Sequence, residues 1–161
     1  MSIIVSDTSP IRALEHLGLL RLIETHYGQV FIPPNVADEL RHSRAGLKSI
    51  DVAQFPMFQI VAPKPMPQLS APWELDPGES EAITLALELD ADYLLIDEAA
   101  GREVAARMGL SIVGTLGILI RAKEAGDIGA VMPLIECLER ELRFFVSPRL
   151  RRVVLTMTNE Q

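Results

Sequence analysis

Ile3-Ile4-Val5-Ser6-Asp7-Thr8-Ser9-Pro10 opens the chain as an apolar, β-branched run that ends in an aspartate just ahead of a helix-start signal. Ser9 is placed to cap and Pro10 to take the first helical position, where its missing N–H costs nothing. Asp7 is left over, a carboxylate at the end of a buried strand with no capping duty. Further apolar runs at about 29–32, 58–62, 92–96 and 111–113 alternate with helical periodicity at about 10–24, 34–42, 77–90, 99–108, 115–125 and 131–142. Continuous apolar strands separated by helices mean a parallel sheet covered on both faces, so the fold class is α/β.

The 161 residues, 48% of them hydrophobic, fill the core of one domain without disulfides or structural zinc. Cys137, the only cysteine, stands among Leu134, Ile135 and Leu138 and reads as a buried free thiol in a reducing cytosol, with no role as a nucleophile. No basic segment precedes an apolar stretch at the N-terminus, and no apolar run approaches the ~20 residues needed to span a bilayer. The expectation is a soluble, cytoplasmic protein with no membrane partner. Fifteen basic against twenty-two acidic residues give a net charge of -7, which excludes a broad electrostatic grip on nucleic acid. Any such contact must be local and metal-assisted.

The stretch 62–77 carries prolines at 63, 65, 67, 72 and 77 together with Trp73, and reads as a stiff surface connection inside a single domain spanning 1–161. Ser147-Pro148 repeats the cap-plus-proline signal and opens a terminal helix at about 148–158, whose Arg149, Arg151 and Arg152 make the C-terminus locally basic. A solvated helix face and a contact with nucleic acid or a partner are its two readings.

In an open α/β sheet, ligands bind beyond the carboxyl ends of the strands, where the strand order reverses. Asp7 and Asp97 both stand there, although Asp97 is also a good N-cap for the helix that follows. Pro77-Gly78 precedes Glu79-Ser80-Glu81, with Asp76 as cap. Glu79 can close a capping box with Asp76, whereas Glu81 has no duty beyond favouring the helix dipole. On a helical wheel Glu79 points toward the Ala82-Ala86-Leu89 face and Glu81 sits at its edge beside Leu85, so both stay open as site residues. Glu39, after the Pro33-Pro34 breaker, borders the Val36-Leu40 stripe while Asp38 faces solvent.

Several carboxylates gathered in one place suit Mg²⁺ or Mn²⁺, hard cations that take oxygen ligands and, for Mg²⁺, keep several waters. Such a site activates water and offsets charge on a phosphate. Two carboxylates ~4 Å apart repel by about 4 kcal/mol at an effective dielectric near 20, so without an ion some of their pKa values rise.

The ordered set Val5-Ser6-Asp7-Thr8-Ser9-Pro10, Ile32-Pro33-Pro34 leading to Asp38-Glu39-Leu40, Asp76-Pro77-Gly78-Glu79-Ser80-Glu81-Ala82-Ile83, Leu95-Ile96-Asp97-Glu98 and Val113-Gly114-Thr115-Leu116-Gly117 resembles the PIN-domain proteins, in particular a prokaryotic branch with the Gly-Glu-x-Glu-Ala-Ile helix start. The similarity covers nearly the whole chain. It implies a parallel sheet with central order 3-2-1-4-5 and an acid cluster binding Mg²⁺ or Mn²⁺ for endoribonuclease activity on RNA. Many relatives are toxins of toxin-antitoxin pairs, and homodimers are a family-level expectation. Position by position, the family's acids fall on Asp7, Glu39, Glu81 and Asp97, with Thr8 where a hydroxyl supports the metal site. Glu79 gains support from the distantly related flap endonucleases, which use both glutamates of a similar helix start. The chain departs from the better-known toxins in having glutamate where the third acid is usually aspartate.

Other motifs fail. Gly114-Thr115-Leu116-Gly117 lacks the Gly-Lys-Ser/Thr ending of a phosphate loop and reads as a turn with Thr115 capping the next helix. His16, His26 and His42 show no paired metal spacing and read as surface residues. A haloacid dehalogenase-type phosphatase would need a second aspartate after Asp7, where Thr8, Ser9 and Pro10 stand. The reading is therefore a metal-dependent endoribonuclease with catalytic Asp7, Glu39, Glu81 and Asp97, Glu79 as a further ligand, and Arg12 and Arg102 near the first helical turns as phosphate contacts. An antitoxin is a candidate partner. The alternative is a PIN-like module that binds RNA or protein without cutting.

Overall fold

The computed structural model describes residues 2–42, 47–65 and 75–161. In chain order the elements are β1 (Ile4–Ser6), α1 (Thr8–His16), α2 (Arg21–Tyr27), β2 (Val30–Ile32), α3 (Pro34–Arg41), a 3-10 turn (Val52–Gln54), β3 (Phe58–Ile60), α4 (Pro77–Glu88), β4 (Tyr93–Leu95), α5 (Ala99–Arg107), β5 (Ile112–Val113), α6 (Thr115–Glu124), α7 (Met132–Leu142) and α8 (Pro148–Thr158). All strand pairs are parallel, in the order β3-β2-β1-β4-β5. The parallel sheet is the one expected from the alternation of apolar runs and helices, and its order is the one the resemblance implies.

Side chains of successive strand residues point to opposite faces, and this divides the core in two. Ile4, Val30, Ile32 and Leu95 join α1, α2, α3, α6 and α7 in the larger cluster. Val5, Leu94 and Ile96 face Ala82, Ile83, Leu85 and Ala86 of α4 and Val104 and Ala105 of α5. Burial on both faces is why these strands read as unbroken apolar runs. The strand order reverses at β1, so the carboxyl ends of β1 and β4 lie side by side, with the Asp7 N–H donating to the Leu95 carbonyl at 2.9 Å.

Three local expectations are corrected. The periodic stretch 10–24 is two helices, because Gly18 takes a left-handed φ of 70° that ends α1 before Leu19 and Leu20 lead into α2. The cap position of α1 is Asp7, one step earlier than the Ser9-Pro10 signal, yet the Asp7 side chain makes no cap hydrogen bond and remains available. Cys137 is half-buried. On α7, Ile135 and Leu138 fill the core, and at 100° per residue Cys137 falls round the side. Of the 62–77 connection, residues 66–74 with Pro67, Pro72 and Trp73 lie outside the described residues. The terminal helix starts as read, with Ser147 Oγ accepting from the Leu150 N–H at 3.1 Å.

Helix α7 has no side-chain cap of its own, and its exposed backbone donors are met from the far end of the chain. Glu160 accepts from the N–H groups of Val131 (2.8 Å) and Met132 (2.9 Å) and pairs with Lys123 Nζ at 2.9 Å. Burial pushes the Glu160 carboxyl up, but these donors together outweigh it and hold the group at about 2. Glu160→Gln keeps the shape and loses the charge. It should lower stability by about 1 kcal/mol, within the usual range for a helix cap, and the loss should vanish as pH falls from the ordinary carboxyl value toward 2. Denaturant melts of the two proteins at neutral and acid pH check both.

Candidate active site

Asp7 ends β1 and is 3% exposed. Thr8, its neighbour in the first turn of α1, donates its hydroxyl to Glu39 Oε2 at 3.0 Å, which turns the α3 carboxylate toward the end of β1. The start of α4 supplies the third side. Asp76 and Glu79 form the expected capping box, with the Glu79 N–H donating to Asp76 Oδ1 at 2.7 Å. The remaining oxygen of Glu79, Oε2, is buried with no hydrogen-bond partner among the described residues.

Glycines make this convergence possible. A methyl group on Gly78 would stand 3.3 Å from Glu39 Oε2, 3.4 Å from Asp76 Oδ1 and 3.7 Å from Asp7 Oδ1. One on Gly101 would stand 2.7 Å from Glu79 Oε2, and one on Gly114 2.9 Å from Asp97 Oδ1. Side chains at these three positions would fill the space around the acids.

Asp97 does not cap its own helix. Its Oδ1 accepts from the Thr115 N–H at 2.7 Å and its Oδ2 from the Thr115 hydroxyl at 2.6 Å, so it caps α6 from outside. Thr115 is thus an anchor for Asp97 and not the cap of its helix, which is Gly114. Arg102 donates to the Ile96 carbonyl at 2.9 Å and lies beside Asp97. Thr8, Glu39, Asp97, Glu98 and Arg102 line one cleft of about 1070 Å³, which continues past Arg121 and Arg143 to the apolar residues of α8.

Two expected site residues are engaged elsewhere. Glu81 reaches α3, where its carboxylate accepts from the Asn35 N–H (3.0 Å) and from Asn35 Nδ2 (2.5 Å), supplying the N-terminal cap that Pro33 cannot. The wheel argument left Glu79 and Glu81 open, and this partner gives Glu81 a structural role on α3. Arg12 is buried, and its guanidinium donates to the carbonyls of Glu39 (2.7 Å), His42 (2.9 Å) and Lys48 (3.3 Å). It fastens the end of α3 that carries Glu39, and it also lines the cleft that Thr8 and Glu39 line. Asp76, Glu98 and the three glycines were not singled out as site residues. The small residue directly beside an acid in Asp76-Pro77-Gly78-Glu79 was the available signal.

The electrostatics follow from burial without a cation. Burial raises the Asp7 carboxyl to about 7; the Thr8 N–H opposes this, and Asp76, Glu39 and Glu98 add to it. Glu79 is raised to about 8, by burial first and then by Asp76 and Asp7. Burial also raises Asp97, against the pull of Thr115 and Arg102. An all-oxygen donor set, a buried carboxylate oxygen with no donor and side-chain-free glycines fit a hard divalent cation. Among the described residues no three of these acids bring carboxylate oxygens within 4.8 Å of one another, so as they stand at most two are spaced to ligate one ion directly and the others would act through its waters.

Asp7 and Glu79 go from ordinary carboxyl values of 3.8 and 4.5 to about 7 and about 8 on folding, so folding takes up protons between those limits. The stability tied to the neutral forms is whole below the lower limit and is lost as pH rises through the upper one. Without divalent ions the melting temperature should therefore fall from about pH 5 to about pH 8. Asp7→Asn should flatten the fall and melt higher than the parent at the alkaline end by at least about 4 °C, at roughly 2–4 °C per kcal/mol for this size. Parallel melting curves for the two proteins would contradict the assignment.

A family model described as DUF3368: PIN domain matches residues 3–160. No curated protein matches the chain. PIN domains are generally nucleases and typically use divalent metal ions. The match omits only two residues at one end and one at the other, and it agrees with the strand order and with acids meeting at the ends of β1 and β4. The chain belongs to the DUF3368 family of PIN domains.

Proposed function

We propose that this PIN domain is an endoribonuclease that uses Mg²⁺ or Mn²⁺, with Asp7, Glu39, Glu79 and Asp97 around the ion and the scissile phosphate. The observation that carries the reading is the pair of buried carboxyls, Asp7 and Glu79, raised to about 7 and about 8 against a glycine wall. Burial first, and neighbouring carboxylates second, penalise the charged forms, and a bound cation or a proton removes that penalty. A divalent ion held there lowers the pKa of a water and offsets charge developing on the phosphate.

The chain's own groups do the rest. Thr8 holds Glu39 so that one carboxylate oxygen is oriented toward the Asp7 side, where it can accept a proton from an attacking water. Thr115 fixes both oxygens of Asp97. Arg102, Arg121 and Arg143 line the same cleft as Thr8, Glu39 and Asp97 and supply local positive charge on a chain whose net charge is -7. That charge supports RNA as the substrate. Glu81, on this reading, acts through α3 by capping it. Toxin activity, an antitoxin partner and a homodimer belong to the same proposal. Phe145, Leu150, Val153 and Met157 expose an apolar face at the far end of the cleft that supports one of these contacts.

Single-turnover cleavage of a mixed-sequence RNA with Mn²⁺ tests the assignment. Asp7→Asn and Glu79→Gln should each slow cleavage by on the order of 100-fold or more, as expected for groups at the reacting centre. Glu81→Gln should slow it far less while lowering the melting temperature, because it loosens α3. Equal losses for the two glutamates would put Glu81 in the ligand set. RNA binding without cleavage would make this a binding module. Growth arrest on expression, relieved by a neighbouring small open reading frame, is the corresponding result for the toxin role.

A further inference from the structure

His16 ends α1, and Cys137 and Glu141 stand one turn apart on the same side of α7. The packing of the two helices brings His16 Nε2 within 3.4 Å of Glu141 Oε1, and Cys137 Sγ within 2.7 Å of Glu141 Oε2. One donor atom from each residue lies within 4.8 Å of the others. An ion pair between His16 and Glu141 would account for two of the three. The thiol at the third corner changes the chemistry of the group.

We infer that His16, Cys137 and Glu141 form a Zn²⁺ site, separate from the acidic centre and of a different ligand class. Nitrogen, thiolate and carboxylate donors are those that Zn²⁺ takes, at about 2.0–2.3 Å, so donors of a tetrahedral site stand roughly 3.3–3.8 Å apart. The observed spacing reaches that arrangement with side-chain adjustment alone. Hard Mg²⁺ has no preference for a thiolate, so the two sites sort metals by ligand softness. Asp7 and Thr8 lie at the opposite end of α1, roughly 12 Å away along the helix axis.

In the metal-free protein the Cys137 thiol keeps its proton, donating it to Glu141, whose charge raises the thiol. Zn²⁺ binding replaces that proton, which passes to solvent, and the carboxylate turns from acceptor of the thiol to ligand of the ion. Arg140, which also bonds Glu141 Oε2 at 3.1 Å, is a largely exposed side chain free to swing into water. Three protein ligands leave a fourth position for water. The site would join the end of α1 to α7, bracing the helix whose other end carries the acids.

Co²⁺ titration followed by absorbance reads thiolate ligation directly, because sulfur-to-cobalt charge transfer absorbs in the near ultraviolet and an all-oxygen site has no such band. Under a thiol-free reductant the parent protein should develop this band to one equivalent and lose it to added Zn²⁺. Asp7→Asn should keep the band. Cys137→Ser should lack it, and His16→Ala and Glu141→Gln should weaken Co²⁺ binding by at least about tenfold, the scale on which metal sites respond to lost partners. Zn²⁺ should also raise the melting temperature of Asp7→Asn but not that of the same protein carrying Cys137→Ser. No charge-transfer band in the parent, or an undiminished one in His16→Ala, overturns the site; circular dichroism of each variant verifies folding.

Discussion

Carboxylates gathered at the buried ends of β1 and β4 and the start of α4 are what the rest of this structure is arranged around. Asp7 is 3% exposed and Glu79 7% exposed; Asp76 raises both carboxyls and Asp7 further raises Glu79. The cost is met by the scaffold. Buried strands on both faces of the sheet supply apolar burial at roughly 25 cal/mol per Å², enough to hold unfavourable side chains at the one edge where the strand order reverses.

Acids also cap helices across the fold. Helices α3, α6 and α7 begin without a side-chain cap of their own. Glu81, Asp97 and Glu160 reach across from other elements to accept from their first N–H groups. Each such bond ties two elements that are distant in sequence, while answering backbone donors that would otherwise face the interior. Asp97 combines both jobs, since it caps α6 and lines the cleft. Glu81 caps α3, whereas Glu79 keeps a buried oxygen with no partner among the described residues, so two glutamates two residues apart on one helix meet different surroundings.

Much of the fold was legible. Period-two burial on both faces gives unbroken apolar runs, and proline or glycine punctuates nearly every change of element, so the α/β class and the start of α4 and α8 follow from residues alone. The order β3-β2-β1-β4-β5 came from the resemblance, because periodicity does not say which strands are neighbours. The division of 10–24 into two helices was missed, since Leu17, Leu19 and Leu20 continue the apolar pattern through Gly18 and only a left-handed φ marks the break.

The sequence by itself determined which carboxylates end strands or begin helices, because local propensity and patterning decide those positions. Only the tertiary structure decided which of them meet: that Glu79 turns inward and Glu81 outward, that Arg12 holds carbonyls, and that His16 faces Cys137 and Glu141 across two helices. The physical reason is range. A helix start or a strand end is set by a few neighbouring residues, whereas a side chain's partner is set by the packing of elements up to a hundred and more residues away.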